Sequence, residues 1–248
     1  MFNYLLYISN VLYLLYLMIM TVLLLSFFPL FLLAYKLFKK GKIDDGVRWF
    51  IHLYGTYLVK ISWPGVRIDR KGMENLNHNG SCVVVVNHRS TADMFFGSLF
   101  TPFNTAVFVR SWPFKLWGFG WFMNLAGYVD IEKTHIHDFL KGRGRGLYER
   151  GVSFLFYPEG HRSRDGKLQR FQSGAFLTAT EFNIPIVPVF MKGTEKFLPM
   201  KKPVIRPAKI EVDILPPVYP SDFPNDKKAL KLKRYVESIF RSGLDEQR

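Results

Sequence analysis

Cysteine is nearly absent from this chain of 248 residues, and acidic residues are scarce relative to basic ones. Cys82 is the only cysteine, so the sequence excludes an intrachain disulfide and a cysteine-rich metal site. Lysine and arginine number 34 against 20 aspartate and glutamate residues, which gives a formal net charge of +14. A surface of this sign attracts nucleic acid, anionic lipid headgroups or anionic substrates.

Charge is missing altogether from the first 35 residues, and the first charged side chain is Lys36. A signal peptide is a poor interpretation, because no basic region precedes the apolar run and no small-residue cleavage site follows it. One helix of this length would reach roughly 52 Å, against a hydrocarbon core of about 30 Å. The helix therefore places one end in the interface or breaks, and Pro29 is the expected break. A membrane span and a hairpin within one leaflet both fit this pattern.

Four lysines follow at once, at positions 36, 39, 40 and 42. Basic residues beside an apolar segment favour the cytoplasmic side of a membrane and contact with anionic headgroups. We therefore expect membrane lipid as a partner, and no nucleic acid. The expected location is the cell inner membrane or another membrane, with the rest of the chain on the cytoplasmic side. Residues 43–62 carry apolar positions at helical spacing, so residues 1–62 are predicted to form membrane-anchoring helices.

Residues 63–248 alternate short apolar runs with helical stretches, which predicts an α/β domain with a mixed, largely buried sheet flanked by helices. The predicted strands are 66–70, 82–86, 106–110, 128–131, 153–157, 184–190 and 210–215. The predicted helices are 92–100, 113–125, 135–150, 174–182 and 226–242.

A histidine and an aspartate lie in the turn that follows the second of these strands. His88 comes two residues after the strand, and Asp93 lies at the start of the next predicted helix. Open α/β sheets place their ligands at the ends of strands. An imidazole takes a proton near neutral pH, and a carboxylate fixes its tautomer and stabilises the cation. The residues favour a general-base site, and a polar turn with a helix cap is the structural alternative.

A second polar cluster follows the strand at 153–157. Gly160 allows a backbone conformation or a close approach that a side chain would forbid. Arg162 and Arg164 carry planar guanidinium groups that suit phosphate. The cluster therefore indicates an anion site, and a solvated basic loop is the alternative.

Together the two clusters resemble the PlsC-type glycerolipid acyltransferase family, the lysophosphatidic acid acyltransferases. The resemblance rests on Asn-His-x-x-x-x-Asp at 87–93 and Tyr-Pro-Glu-Gly-x-Arg-Ser at 157–163. Two further blocks are similar to family blocks in the same order, Gly-Tyr-Val-Asp-Ile-Glu-Lys at 127–133 and Ile-Pro-Ile-Val-Pro-Val at 184–189. The resemblance covers roughly residues 66–215. It implies that residues 63–248 form an acyltransferase catalytic domain behind an N-terminal membrane-associated segment.

The resemblance implies a role for each matching residue. His88 is the implied general base, and Asp93 orients it. Glu159, Gly160 and Arg162 are implied in binding the acceptor, with Arg162 on its phosphate. These assignments predict that the two clusters form one active site.

Two further basic residues are implied in substrate binding. Lys133 stands where the family usually has arginine, so the positive charge is kept and the bidentate fork is lost. The resemblance places it at the same phosphate as Arg162. Arg110 matches a position where the family often has lysine. Both residues are therefore expected near the acceptor.

The implied reaction moves a fatty acyl group from acyl-CoA or acyl carrier protein to the free sn-2 hydroxyl of 1-acylglycerol 3-phosphate, giving phosphatidic acid. The expected partners are the lysophospholipid acceptor and the acyl thioester, with no metal or other cofactor. Family members also acylate other lyso-lipids, so that acceptor class stays open. The residues are also compatible with a lipid hydrolase, and with a non-catalytic binder of anionic lipid or nucleic acid.

Two further features leave their role open. Residues 112–123 are rich in tryptophan, phenylalanine and glycine, which fits an acyl-chain pocket, contact with lipid or ordinary core packing. His135 and His137 have the spacing of metal ligands, but a solvated helix start is the favoured interpretation.

Overall fold

The computed structural model describes residues 2–39, 41–62, 65–76, 80–116, 118–162, 168–199 and 204–245. The chain begins with three helices, α1 (Phe2–Ser26), α2 (Phe28–Lys39) and α3 (Ile43–Ile61). The break between α1 and α2 falls at Phe27, directly before the turn that contains Pro29, as the sequence predicts. Proline is tolerated in the first turn of a helix because the N–H it lacks has no intrahelical partner there.

The N-terminal helices expose an almost continuous apolar surface. Within the described residues, Tyr7–Lys39 is the stretch long and apolar enough to cross a membrane, judged by length and composition. Its most apolar window has a mean hydropathy of 2.6, and 6% of that window is buried. A core helix of a soluble domain would be mostly buried, so this surface calls for another apolar partner.

Seven strands of the described chain form one mixed sheet, which confirms the predicted fold class. The strands are β1 (Val66–Lys71), β2 (Val83–Val86), β3 (Thr105–Val109), β4 (Val129–Asp130), β5 (Ser153–Phe156), β6 (Ile186–Lys192) and β7 (Ala208–Ile214). Their order is β1-β7-β6-β2-β5-β3-β4, and β6 and β7 are the one antiparallel pair among them.

The strands that carry the site run parallel to one another. β2 lies between β5 and β6, and β3 lies between β5 and β4. Since parallel strands end at the same edge of a sheet, the residues that come after β2, β3, β4 and β5 meet at one edge. This edge therefore gathers the two polar clusters that the sequence sets far apart.

The remaining helices lie in the predicted regions, apart from a short helix at 194–197 that the sequence does not predict. They are α4 (Ser111–Phe114), α5 (Phe119–Leu125), α6 (Ile136–Lys141), α7 (Arg143–Tyr148), α8 (Gly174–Phe182), α9 (Thr194–Phe197) and α10 (Lys228–Asp245). The prediction of one continuous helix at 113–125 and another at 135–150 is wrong, because each region contains two short helices. Gly118 has a φ of 73°, outside helical geometry, and Gly142 ends α6 because glycine stabilises a helix poorly. The segment Thr91–Leu99, expected as an α-helix, is a 3₁₀ helix.

An ion cluster joins α3 to the sheet domain. The buried guanidinium of Arg48 donates hydrogen bonds to Asp45, to Asn104 before β3 and to the carbonyl of Ala126 after α5. Arg150, after α7, forms ion pairs with Asp45 and with Asp44 on the same helix. The domain boundary at residue 62 stays a prediction, and in the structure these ion pairs tie α3 firmly to the sheet domain.

Acid is expected to weaken this cluster. Burial alone would raise the pKa of Asp44, but hydrogen bonds and charge from Arg150 and Arg48 outweigh it and hold the pKa at about 2, against an ordinary 3.8. A carboxylate with a lowered folded pKa stabilises the fold above its unfolded pKa and loses that contribution as pH falls towards the folded value. Asp44→Asn should therefore lower the thermal unfolding midpoint above about pH 4 and have a shrinking effect towards about pH 2. A difference between the two proteins that stays constant across this pH range would contradict the assignment.

Candidate active site

His88 and Asp93 form a hydrogen-bonded pair at the carboxyl end of β2. The imidazole Nδ1 lies 2.7 Å from Asp93 Oδ2. The pair forms because His88 lies on the turn after the strand and Asp93 on the first turn of the 3₁₀ segment. Asp93 is completely buried and His88 is partly exposed, so the imidazole reaches the surface of a cavity while its partner stays fixed below it.

The carboxylate of Asp93 is held in place by the backbone. Besides the imidazole, its Oδ2 accepts hydrogen bonds from the N–H groups of Arg89 at 2.8 Å and Ser90 at 2.9 Å. An acceptor at Nδ1 assigns the imidazole proton to that nitrogen. The remaining ring nitrogen, Nε2, is then the atom that can take a proton, which is the arrangement of a general base.

Asp93→Asn should reduce turnover without abolishing it. The amide can present an N–H where Nδ1–H now donates, so it favours the wrong tautomer and removes the charge that stabilises the imidazolium. We expect a loss of about 10²- to 10³-fold in kcat. Thermal unfolding of the variant separates this effect from loss of the backbone hydrogen bonds. Turnover at the wild-type rate in folded protein would remove Asp93 from the site.

Glu159 holds together the two turns that form the site. It is buried, and its Oε1 accepts a hydrogen bond of 2.9 Å from the N–H of His88. Its Oε2 accepts one of 2.9 Å from the N–H of Gln169. Burial raises the pKa of this carboxyl, and the hydrogen bonds from both amides oppose the rise. Both oxygens of Glu159 thus accept from the backbone, and its predicted role in acceptor binding stays a prediction.

Arg162 lies beside the His88–Asp93 pair. Its Nη1 donates a hydrogen bond to Thr91 Oγ1, so the guanidinium sits at the start of the segment that carries Asp93. Gly160 has a φ of 73°, a backbone conformation that favours glycine, and it turns the chain from Glu159 towards Arg162. The structure thus brings Arg162 to the His88 site. Arg164 lies outside the described residues.

Arg110 and Lys133 lie at the same edge of the sheet but are turned towards acidic neighbours. Arg110 Nε donates to Glu132 Oε1 at 2.5 Å, and this hydrogen bond lowers the pKa of Glu132. Arg110 also lines the cavity beside His88. Lys133 is well exposed, with its Nζ 3.9 Å from Asp130 Oδ2. Their predicted role in substrate binding stays a prediction.

A cavity of about 670 Å³ opens beside His88 and extends to the N-terminal helices. Thr21 and Leu25 of α1 line one part of it, and Leu58 of α3 lines another. Most of the surface is apolar, and residues 112–123 contribute Trp112, Pro113, Phe119, Phe122 and Met123. Part of this aromatic stretch therefore faces an apolar cavity, as the acyl-chain interpretation of these residues requires.

The aromatic ring of Tyr157 is a feature of the site that the motifs do not predict. It contacts the His88 imidazole with ring centroids 4.4 Å apart. Burial and the charge of Asp93 raise its pKa well above the ordinary value, so the hydroxyl stays protonated. The signal in the sequence is its place directly before the Pro-Glu-Gly turn. In the structure it directly follows β5, the strand that pairs with β2 before His88.

Metal ligands do not gather anywhere in the part of the chain that the structure describes. No group of three or more His, Cys, Asp or Glu side chains is placed to hold an ion there. Cys82 is buried at the start of β2, and burial raises the pKa of its thiol to about 11.

The fold and the site together define an α/β domain whose His–Asp pair faces an apolar cavity. The model of the acyltransferase family matches residues 67–192, half of the chain. The chain belongs to the acyltransferase family.

Curated relatives and a solved structure agree with this membership. A chloroplastic 1-acyl-sn-glycerol-3-phosphate acyltransferase of Brassica napus is 33% identical over 181 residues, 70% of this chain and 52% of the relative. One from Arabidopsis thaliana is 31% identical over 185 residues, 72% of this chain and 51% of the relative. This chain thus spans about half the length of these two relatives.

The fold is similar to that of the 1-acyl-sn-glycerophosphate (LPA) acyltransferase PlsC from Thermotoga maritima. The TM-score is 0.76, and the similarity covers 98% of this chain and 97% of that chain at 24% identity. At this identity the similarity establishes the fold, including the N-terminal helices.

Proposed function

We propose that this protein is a membrane-associated O-acyltransferase. It transfers a fatty acyl group from an acyl thioester to the sn-2 hydroxyl of 1-acylglycerol 3-phosphate and forms phosphatidic acid. The observation that carries the proposal is the His88–Asp93 pair at the mouth of an apolar cavity, with Arg162 beside it. The relatives named as 1-acyl-sn-glycerol-3-phosphate acyltransferases support this acceptor.

His88 activates the acceptor in this proposal. Its Nε2 takes the proton of the sn-2 hydroxyl as that oxygen attacks the thioester carbonyl, and Asp93 stabilises the resulting imidazolium. The tetrahedral intermediate then collapses, the carbon–sulfur bond breaks and the thiolate takes the proton back from His88. The products are the ester and a free thiol, so the step balances without a metal, a redox partner or a covalent enzyme intermediate.

Arg162 positions the acceptor. A guanidinium held by Thr91 offers its remaining N–H groups to phosphate in a fixed plane, which suits bidentate recognition. Arg110 and Lys133 add positive charge where β3 and β4 end at the same sheet edge. Holding the hydroxyl within reach of His88 supplies much of the rate in such a reaction.

The apolar cavity accepts an acyl chain, and the donor carrier stays outside it. Acyl-CoA and acyl carrier protein both present the thioester on a long pantetheine arm, and both fit this arrangement. We place the protein at the cell inner membrane or another membrane with its active site on the cytoplasmic side, because Lys36, Lys39 and Lys42 flank the apolar helices.

A panel of acceptors tests the proposed function. Purified protein is incubated with labelled acyl thioester and, in turn, with lysophosphatidic acid, other lyso-lipids and no acceptor. Labelled phosphatidic acid as the main product supports the proposal. Preference for another lyso-lipid would change the assigned acceptor from lysophosphatidic acid to that lipid. Release of labelled free acid without any acceptor would indicate a hydrolase.

The packing of α1 on α3 supports insertion into one leaflet. Tyr13 donates a hydrogen bond to the carbonyl of Ser62 at 3.3 Å, and Thr21 and Tyr54 share one of 3.0 Å. From Tyr13 onwards α1 therefore runs antiparallel along α3, which is itself tied to the sheet domain. A helix held along α3 in this way lies beside the sheet domain, which fits insertion into the near leaflet.

A chain that begins at Ile43 should lose most of its activity on bilayer substrate. Without α1 and α2 the apolar anchor is gone, so binding to liposomes weakens, while activity on a soluble short-chain acceptor falls much less. For the full chain, high salt should not release the protein from membranes and detergent should, because the anchor is apolar.

Removing α1 and α2 also uncovers apolar surface on α3, so a second variant isolates the membrane effect. Ile19→Glu with Val22→Glu places two charges on the exposed face of α1 and leaves its packing on α3 intact. The double variant should reproduce the loss on liposomes. Bilayer activity at the full-length rate in both variants would rule out anchoring by this segment.

A further inference from the structure

An aromatic projection lies beside the cavity, and its outer side chains are about half exposed. It consists of α4, α5 and Leu116. Trp112 is 49% exposed, Leu116 48%, Phe119 45% and Trp121 57%. Large apolar side chains exposed together mark a surface that meets another apolar phase or another molecule. We call these four residues the aromatic rim.

The aromatic rim stands on a fixed base. A Cβ at Gly120 would lie 2.0 Å from the carbonyl oxygen of Phe114, so α4 and α5 touch through their backbones and only glycine fits between them. Pro113, Gly120 and Met123 are buried underneath. The packing between α4 and α5 therefore fixes the outer side chains of the rim in exposed positions.

The rim continues the apolar surface of the N-terminal helices. Phe28, the first residue of α2, packs against Phe122 with ring centroids 4.9 Å apart and against Trp121 at 6.4 Å. The exposed Phe27 and Leu30 of the N-terminal helices come from the same part of the chain. A leaflet that receives α1 and α2 thus lies next to the rim.

The charge near the rim is compatible with an anionic lipid surface. Asp130 and Glu132 accept from Ser111 beside it, and each of them is paired with a basic residue, Lys133 and Arg110 respectively. Residues 111–125 contain one lysine, Lys115, and no acidic residue. Tryptophan prefers the headgroup level of a bilayer, where its ring is half in apolar and half in polar surroundings. Trp112 and Phe119 also line the cavity, so the rim forms the border between the cavity and whatever it contacts.

We propose that the aromatic rim is a second membrane-contact surface, carried by the sheet domain itself, which inserts into the headgroup region of the leaflet that holds α1 and α2. The lipid acceptor and the acyl chain then enter the cavity sideways from that leaflet, past Trp112 and Phe119, without passing through water. The entry of lipid substrate by this route rests on the proposed function, whereas membrane contact by the rim is independent of the proposed function.

The chain offers a clean probe for this contact. Its only natural cysteine, Cys82, is fully buried. An exposed cysteine introduced by Leu116→Cys can therefore be labelled alone with an environment-sensitive fluorophore. Tyr235→Cys on α10 is the matched control, since Tyr235 is 50% exposed and α10 packs on α8 at the other face of the sheet.

Both labelled full-length proteins are bound to vesicles of phosphatidylglycerol and phosphatidylcholine, with and without brominated acyl chains. We expect emission from the label at position 116 to shift to shorter wavelength and to be quenched several-fold more strongly than the label at position 235. Equal quenching of the two labels on membrane-bound protein would overturn the proposal. So would a change in molecular mass on Leu116→Ser in detergent, because the rim would then bind a second copy of the chain.

Activity measurements separate this surface from the proposed function. Leu116→Glu should reduce kcat/KM on vesicle-borne lysophosphatidic acid by roughly tenfold, since an apolar side chain no longer enters the lipid. On a soluble short-chain acceptor the same variant should match wild type. Full vesicle activity of Leu116→Glu contradicts the membrane contact and leaves the transferase assignment standing. Absence of transfer by wild type on every acceptor contradicts the transferase assignment. The quenching experiment still tests membrane contact in that case, because it does not depend on activity.

Discussion

Replacement of His88 by alanine is expected to reduce the rate of acyl transfer by at least about 10²- to 10⁴-fold. In the proposed mechanism its Nε2 accepts the proton of the hydroxyl, and the same nitrogen returns that proton to the leaving thiolate. The imidazole is partly exposed at the cavity, so its removal should leave the core intact. The measurement is single-turnover transfer from labelled thioester, with thermal unfolding to confirm the fold.

His137→Ala is the matched control for His88→Ala. His137 is exposed on α6 and does not line the cavity, so its loss should leave turnover unchanged. Near wild-type transfer by folded His88→Ala would require another base. A small residual rate that depends on added imidazole would instead support the assigned role.

The second large effect is expected at Arg162. Arg162→Ala should reduce kcat/KM for lysophosphatidic acid by about ten- to a hundredfold, because a hydrogen bond to a charged group contributes about 1.5–3 kcal/mol. The loss should be much smaller for an acceptor that lacks phosphate, such as a monoacylglycerol. Arg162→Lys should recover part of the activity, since it keeps the charge but not the planar fork that Thr91 holds.

Arg145→Ala controls for the loss of a positive charge elsewhere. Arg145 is well exposed on α7 and pairs with Glu149 at 3.6 Å, away from the cavity. It should behave as wild type on every acceptor. If Arg162→Ala and wild type were equally active on lysophosphatidic acid, Arg162 would not be a phosphate ligand.

Most of the sheet is predictable from the sequence because the pattern of a buried strand lies within the strand. β2 is four consecutive valines, all buried, and all seven strands fall in the predicted regions. The order of the strands is not predictable in this way. It depends on pairings such as β1 with β7, whose residues are more than a hundred positions apart. The breaks at Gly118 and Gly142 escape prediction because apolar spacing hides a single glycine with non-helical geometry.

In the candidate site, too, contacts between residues close in sequence are predictable and contacts between distant residues are not. His88 and Asp93 are predictable as a pair because they are only five positions apart and a strand end fixes the turn. The contacts of Glu159 with the His88 N–H and of Arg162 with Thr91 each span 71 residues, so only the folded chain reveals them. The motif at 157–163 marks both residues, but it does not reveal that Glu159 accepts from the backbone of the other turn or that Arg162 donates to Thr91.

The cavity is the feature that is least predictable from the sequence. Its wall combines Leu25 of α1, Leu58 of α3 and Trp112 of α4, three segments whose own patterns indicate only apolar helices. Their convergence next to His88 is what makes an acyl chain the natural occupant.

The most direct test of the central claim is the stoichiometry of thiol release and lipid acylation in one reaction. Wild-type protein with acyl-CoA and lysophosphatidic acid should release one thiol for each phosphatidic acid formed, and thiol release should nearly stop when the acceptor is omitted. His88→Ala should lower both products together. Thiol release that continues without acceptor and yields free fatty acid would contradict the account, because His88 would then be activating water.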